Sequence, residues 1–109
     1  MVIEVIKLRL DNDSVPFDAW KNALPDKKMR ATVESRIASI RAGNFGDCRP
    51  VGDGAWELKI DLGPGLRVYY GKHNNECVLL LGGGLKKTQQ ADIQKAIKVW
   101  KQWKVLQKL

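Results

Sequence analysis

Trp56-Glu57-Leu58-Lys59-Ile60-Asp61-Leu62-Gly63-Pro64-Gly65-Leu66-Arg67-Val68-Tyr69-Tyr70 reads as two strands and the turn between them. Apolar and charged residues alternate from Trp56 to Ile60, which places Trp56, Leu58 and Ile60 on one strand face and Glu57 and Lys59 on the other. Leu62-Gly63-Pro64-Gly65 supplies the turn, because proline fixes its own φ and glycine accepts positive φ at little cost. The following Leu66–Tyr70 run is rich in branched and aromatic side chains. In an antiparallel pairing its Arg67 shares a face with Glu57 or Lys59, giving a cationic strand face.

Outward from this hairpin, Val2 to Leu10 predicts a first strand ended by Asp11-Asn12-Asp13-Ser14. Ser14 or Asp13 is the expected cap of a short helix with Pro16 near its start, on which Phe17, Trp20, Ala23 and Leu24 recur at helical spacing. Pro25-Asp26 breaks it. A longer helix follows, with Met29, Val33, Ile37 and Ile40 in one apolar stripe, and Gly43 ends it. Asn44 to Gly54 is rich in glycine, proline and acid and reads as a loop. Beyond Tyr70, Gly71-Lys72-His73-Asn74-Asn75 carries a turn signal, Glu76 to Leu81 reads as a strand buried on both faces, and Gly82-Gly83-Gly84 closes the sheet region. From Thr88 onward Ile93, Ala96, Ile97, Trp100 and Trp103 define a basic amphipathic helix.

The 109 residues suffice for one domain with a core that needs no metal or disulfide staple. The net charge of +7 suggests an anionic partner. That charge is concentrated at the C-terminus: between Leu85 and Leu109 stand Lys86, Lys87, Lys95, Lys98, Lys101, Lys104 and Lys108 against one acid, Asp92. Cys48 and Cys77 lack CxxC spacing and no signal peptide precedes them, so reduced thiols in a cytoplasmic protein are expected. No apolar run approaches membrane-spanning length, and no membrane partner is expected.

Several chemistries are disfavoured by spacing. Gly82-Gly83-Gly84 before Lys86-Lys87-Thr88 lacks the GxxxxGK[ST] spacing of a P-loop. His73 is the sole histidine and reads as a solvated turn residue, so neither a zinc set nor a serine triad can be assembled. Cys48 reads as a loop or core thiol rather than a nucleophile. Arg67 is harder to dismiss, because a mid-strand guanidinium between apolar neighbours must face water, a carboxylate or a phosphate. An ion pair with Glu57 and an anion site shared with Lys86 and Lys87 are both open readings, as is an ordinary solvated role for the two lysines. Tyr69 and Tyr70 point to opposite faces, so one belongs to the core and the other is free to stack on a base or donate a hydrogen bond.

Trp56-Glu57-Leu58-Lys59-Ile60, Gly63-Pro64-Gly65-Leu66-Arg67-Val68-Tyr69-Tyr70, Leu79-Leu80-Leu81-Gly82-Gly83-Gly84, Lys86-Lys87 and Gln89-Gln90-Ala91-Asp92-Ile93-Gln94-Lys95-Ala96 together resemble the Gp49/HigB-like branch of the RelE/ParE toxin superfamily, often named addiction module killer proteins. Phe17-Asp18-Ala19-Trp20 and Asn44-Phe45-Gly46-Asp47 extend the resemblance over almost the whole chain. It implies an α+β fold in which a small antiparallel sheet of about four strands carries two N-terminal helices and a C-terminal basic helix. It also implies the toxin of a type II toxin-antitoxin pair, with a cognate antitoxin that is often a helix-turn-helix DNA-binding protein. The implied activity is messenger RNA cleavage on the ribosome, without metal or cofactor. By the same resemblance Arg67, Lys59 and Lys87 are the catalytic cations, with Lys86, Glu57 and Gln89 binding RNA.

Metal-free cleavage needs a 2′-hydroxyl to attack the adjacent phosphorus while two protons move, so extra negative charge must be stabilised. Arg67 and Lys87 suit that task, Lys59 or Glu57 is the candidate base, and Tyr70 or a lysine the candidate acid. This chain has Ile93 where RelE carries a tyrosine, so the proton-transfer roles stay open. Two other classes remain: a ParE-like gyrase inhibitor using the C-terminal helix with Trp100 and Trp103, and an inactive protein that binds only an antitoxin or DNA. An acidic, partly disordered antitoxin segment is expected across Arg67 and the lysines.

Overall fold

The computed structural model describes residues 2–74 and 76–107. Asn75, expected in the third turn, and Lys108, counted with the basic helix, lie outside them. The organising hairpin forms with strands β3 (Ala55–Ile60) and β4 (Leu66–His73). Their antiparallel register pairs Trp56 with Tyr70, Leu58 with Val68 and Ile60 with Leu66 on one face, and Glu57 with Tyr69 and Lys59 with Arg67 on the other. Strict alternation along both strands thus separates an apolar face from a face of charged and hydroxyl groups.

Around this pair the chain builds β1 (Glu4–Lys7), α1 (Pro16–Asn22), α2 (Lys27–Arg41), β2 (Cys48–Gly52), β5 (Cys77–Leu85), a 3₁₀ turn (Lys86–Thr88) and α3 (Gln89–Gln107). The class is α+β, but the sheet has five strands in the order β1-β5-β4-β3-β2, and it is mixed because β1 runs parallel to β5. The purely antiparallel sheet of about four strands is corrected accordingly. The added strand is β2, drawn from the segment expected to be a loop. Pro50 is tolerated because β2 lies at the sheet edge, and the register slips between Pro50 and Gly52. Asp53 and Gly54 then turn the chain with φ of 53° and 88°, the positive pair that a two-residue type I′ hairpin requires.

The other end of the sheet also runs further than expected. β5 continues through Gly82, Gly83 and Gly84 to Leu85 instead of stopping at Leu81. These glycines are places of close approach: a Cβ on Gly83 would collide with the Trp20 ring, and one on Gly84 with the Asp92 carboxylate. β4 likewise extends through the expected turn residues Gly71 to His73. Gly71 is required there, since a Cβ would enter the Trp100 ring.

α1 begins at Pro16 after Val15, without a side-chain cap. Ser14 is unavailable because its N–H and hydroxyl both donate to Asn12 Oδ1, at 3.0 and 2.6 Å, and Asp13 is held at φ 67°. α2 is capped by Asp26, whose carboxylate accepts from the Lys28 N–H at 2.8 Å. Its stripe of Val33, Ile37 and Ile40 packs with Phe17 and Leu24 on the apolar face of β3 and β4. α3 covers part of the opposite face, where Ile93, Ala96 and Trp100 bury Tyr69, Ala55, Leu79 and Leu81. The sheet is therefore a middle layer with a core on each side, which explains why β5 is apolar on both faces. Among the described residues no helix is long and apolar enough to cross a membrane.

Candidate functional site

The face of β3 and β4 turned away from α1 and α2 gathers the charged residues. Glu57 is only 2% exposed, and both of its oxygens are occupied. Oε1 accepts from Arg49 Nε at 2.9 Å, because Arg49 sits directly across the β2–β3 ladder, and Oε2 accepts from Gln89 Nε2 at 2.8 Å at the start of α3. Burial by itself pushes the Glu57 carboxyl up, but the Gln89 and Arg49 hydrogen bonds and the Arg49 charge outweigh it, so the group titrates below its ordinary range. Glu57 is a fixed anion at neutral pH.

Arg67 lies beside it, 4% exposed, with its Nε 3.9 Å from Glu57 Oε1. The expected Arg67–Glu57 pair therefore exists as a charge contact longer than a hydrogen bond. Arg67 Nη1 donates to its neighbour's carbonyl, Leu66 O, at 3.0 Å, whereas its buried Nε–H has no acceptor among the described residues. An unused guanidinium donor held at this depth is costly for stability.

Of the two tyrosines, Tyr69 shares this face. Its side chain is buried, and its hydroxyl has no hydrogen-bond partner among the described residues. Burial first, then the Glu57 charge, drives the phenol well above its usual range, so it keeps its proton. Tyr70, the expected proton donor, is not brought to the site. Period two turns it into the α1/α2 core, fully buried, stacked at 6.5 Å on Trp56 and next to Cys48.

The remaining cations form a rim. Lys59 is exposed, paired across the ladder with Arg67, its Nζ 3.8 Å from Asp61 Oδ1. Lys86 is drawn in by its N–H, which donates to Gly65 O at 2.9 Å, and Gly65 packs between Lys86 and the Arg67 guanidinium. A Cβ on Gly65, which has φ 81°, would lie 3.1 Å from Lys86 Cβ and 3.4 Å from Arg67 Nη1. Lys87 is exposed at the next position of the 3₁₀ turn. Thus Lys86 lies against the Arg67 end of the sheet. Gln89, expected to bind RNA, donates to Glu57 in this structure.

Arg49 and Asp92 are the residues that sequence reasoning missed, and of the two tyrosines it left open Tyr69 is the one on this face. Arg49 fell in the presumed loop, although Asp53-Gly54 is a hairpin signal that would have set it opposite Glu57. Asp92 Oδ2 accepts from Thr88 Oγ1 at 2.6 Å, clasping the first turn of α3. Cys48 and Cys77 are free thiols, partly buried, each raised in pKa by burial before any neighbour. His73 is exposed and stands edge-on to Trp103 at 5.2 Å. Among the described residues no three His, Cys, Asp or Glu side chains group so as to hold a metal ion.

Fold and site define a three-layered α+β protein with a buried carboxylate–guanidinium pair beneath an exposed lysine rim. The chain belongs to the same family as an uncharacterized protein of Haemophilus influenzae (strain ATCC 51907 / DSM 11121 / KW20 / Rd). The two are 43% identical over 83 residues, 76% of this chain and 84% of the relative. No protein-family model matches the chain, and no solved structure does either.

Proposed function

We propose that this protein is the toxin of a type II toxin-antitoxin pair, of RelE/ParE type, and that it cleaves messenger RNA on the ribosome. The observation that supports this reading most is Arg67. Its buried Nε–H has no acceptor among the described residues and its neighbours are a protonated phenol and a fixed carboxylate, with Lys59 and Lys86 at the rim. Such a set stabilises a crowded phosphate better than it stabilises a protein core.

In this reading the RNA 2′-hydroxyl attacks the adjacent phosphorus and the 5′-oxygen leaves, giving a 2′,3′-cyclic phosphate. Arg67 donates to a nonbridging oxygen as charge builds there. Lys86 and Lys87 hold the flanking phosphates. Lys59, only as the free amine and not as the ammonium, is the candidate acceptor of the 2′-hydroxyl proton, and Tyr69, rather than Tyr70, is the candidate donor to the leaving oxygen. Glu57 is better suited to positioning than to proton abstraction, because its two hydrogen bonds weaken it as a base while orienting Arg49 and Gln89. Gln89 must leave Glu57 to admit RNA.

Primer extension on messages from cells briefly induced for the protein tests this, beside Arg67→Ala and Lys86→Ala. Cuts within translated frames that disappear in the Arg67 variant are expected. Intact messages with growth arrest and blocked DNA supercoiling would overturn it in favour of a gyrase-directed toxin.

A further inference from the structure

A second feature lies on the far side of α3 from Glu57. Between the end of β1 and the C-terminal half of α3 runs an open groove of about 780 Å³, walled by Leu8 and Leu10 on one side and Val99, Trp103 and Leu106 on the other. A second hollow of about 510 Å³, floored by Tyr69 and the bare backbone of Gly82 and Gly83, shares Leu10, Val99 and Gln102 with it. The two join into one trough along α3. Among the described residues its apolar wall is not covered: Leu10 is 36% exposed and Leu106 58% exposed. A large uncovered apolar surface in a concave setting marks an interaction site.

Three kinds of occupant can be weighed from what surrounds the trough. A second copy of this chain would bring its own +7 charge against the same cations. A flat bilayer surface cannot enter a concave channel whose apolar groups lie on facing walls. An inserted segment can, and the rim states its charge: Arg9, Lys95, Lys98 and Lys101 stand around the two openings against Asp11 and Asp92. Asp92 is already engaged by Thr88, while Lys101 also reaches Asp53 at 3.3 Å. The segment is helical rather than extended. Leu8 and Leu10 N–H groups are engaged by the Leu80 and Ser14 carbonyls, so these two residues have no free donor for an extended segment, whereas Val99, Trp103 and Leu106 recur at helix-face spacing.

We propose that this trough receives an amphipathic helix from a partner protein, with an apolar stripe facing α3 and acidic residues on its flanks. The docking is centred on the Leu10 and Leu106 end of the trough, away from Arg67, although the inner floor reaches Tyr69, and it does not depend on the protein being a nuclease.

The test uses a synthetic three-turn peptide with leucine at helix positions i, i+3, i+4 and i+7 and glutamate elsewhere, titrated into the isotopically labelled full chain and followed by NMR. Saturable binding is expected, with shifts confined to Leu8–Asn12 and Val99–Leu106. It should weaken at least tenfold in Leu106→Glu, weaken with added salt, and persist in Arg67→Ala. Leu10→Glu serves as a second groove variant should the first fail to fold. The proposal is overturned by absent saturation, by equal binding of a scrambled or lysine-substituted peptide, by shifts centred on Arg67 and Lys86, or by groove variants that bind normally. RNA cleavage is expected to survive in Leu106→Glu. Loss of cleavage activity in every form of the protein, with peptide binding intact, would count against the nuclease reading alone.

Discussion

At the level of single residues, Tyr69 and Tyr70 carry the sharpest contrast, since adjacent positions in one strand have opposite surroundings. Tyr69→Phe is expected to lower RNA cleavage about 10²–10⁴-fold, the range for loss of a positioned proton donor. Tyr70→Phe should leave the rate within about threefold, because its hydroxyl lies beneath the other face; the two are compared by initial rates on a ribosome-bound message. Arg67→Lys is not expected to restore what Arg67→Ala loses, since an ammonium cannot present the guanidinium's planar fork. Glu57 predicts a pH effect of definite sign. Its folded-state carboxyl titrates below the ordinary value of 4.5, so its contribution to stability is complete above that pH and drains away as the pH falls through the lowered value. Urea melts taken from pH 7 down to pH 3 should show Glu57→Gln flattening the acid limb, with both variants converging at the acid end.

Among the elements, the β5 glycines are where conformation and packing part company with composition. Gly83→Ala should cost about 1–3 kcal/mol by forcing Trp20 off its seat, a value that equilibrium denaturation can check. The run of three glycines reads locally as a break, and only the ring of Trp20 and the carboxylate of Asp92, distant in sequence, reveal it as strand. The same division explains what was legible and what was not. Period-two alternation in Trp56–Ile60 and the apolar stripes of α2 and α3 are local signals, and the structure follows them. β2 was hidden because Pro50 and Gly52 are tolerated only at an edge, and edge position is a property of the whole sheet. At the site, the shared face of Glu57, Lys59 and Arg67 follows from alternation and was readable. The pairing of Gln89 with Glu57 was not, because it depends on where α3 lands after a glycine strand.

For the whole molecule, the sheet between two cores means that neither helical layer is dispensable. Trp100→Ala is expected to cost about 3–5 kcal/mol, the range for truncating a large buried aromatic, despite lying outside the larger cluster. Loss of the near-ultraviolet circular dichroism signal at lower urea would report it. Parallel pairing of β1 with β5 sets a different kind of constraint, one of timing. Glu4 pairs with Cys77 and Lys7 with Leu80, so β1 must wait for roughly seventy further residues before its partner exists. At about 5–20 residues per second of synthesis, that is a delay of roughly 4–15 s in which the nascent chain holds β1 unpaired. The last charged segment, α3, emerges later still. Assembly of the finished surface is thus deferred until β5 and α3 have been made, and a chain interrupted before Cys77 is left without the strand that joins β1 to β4.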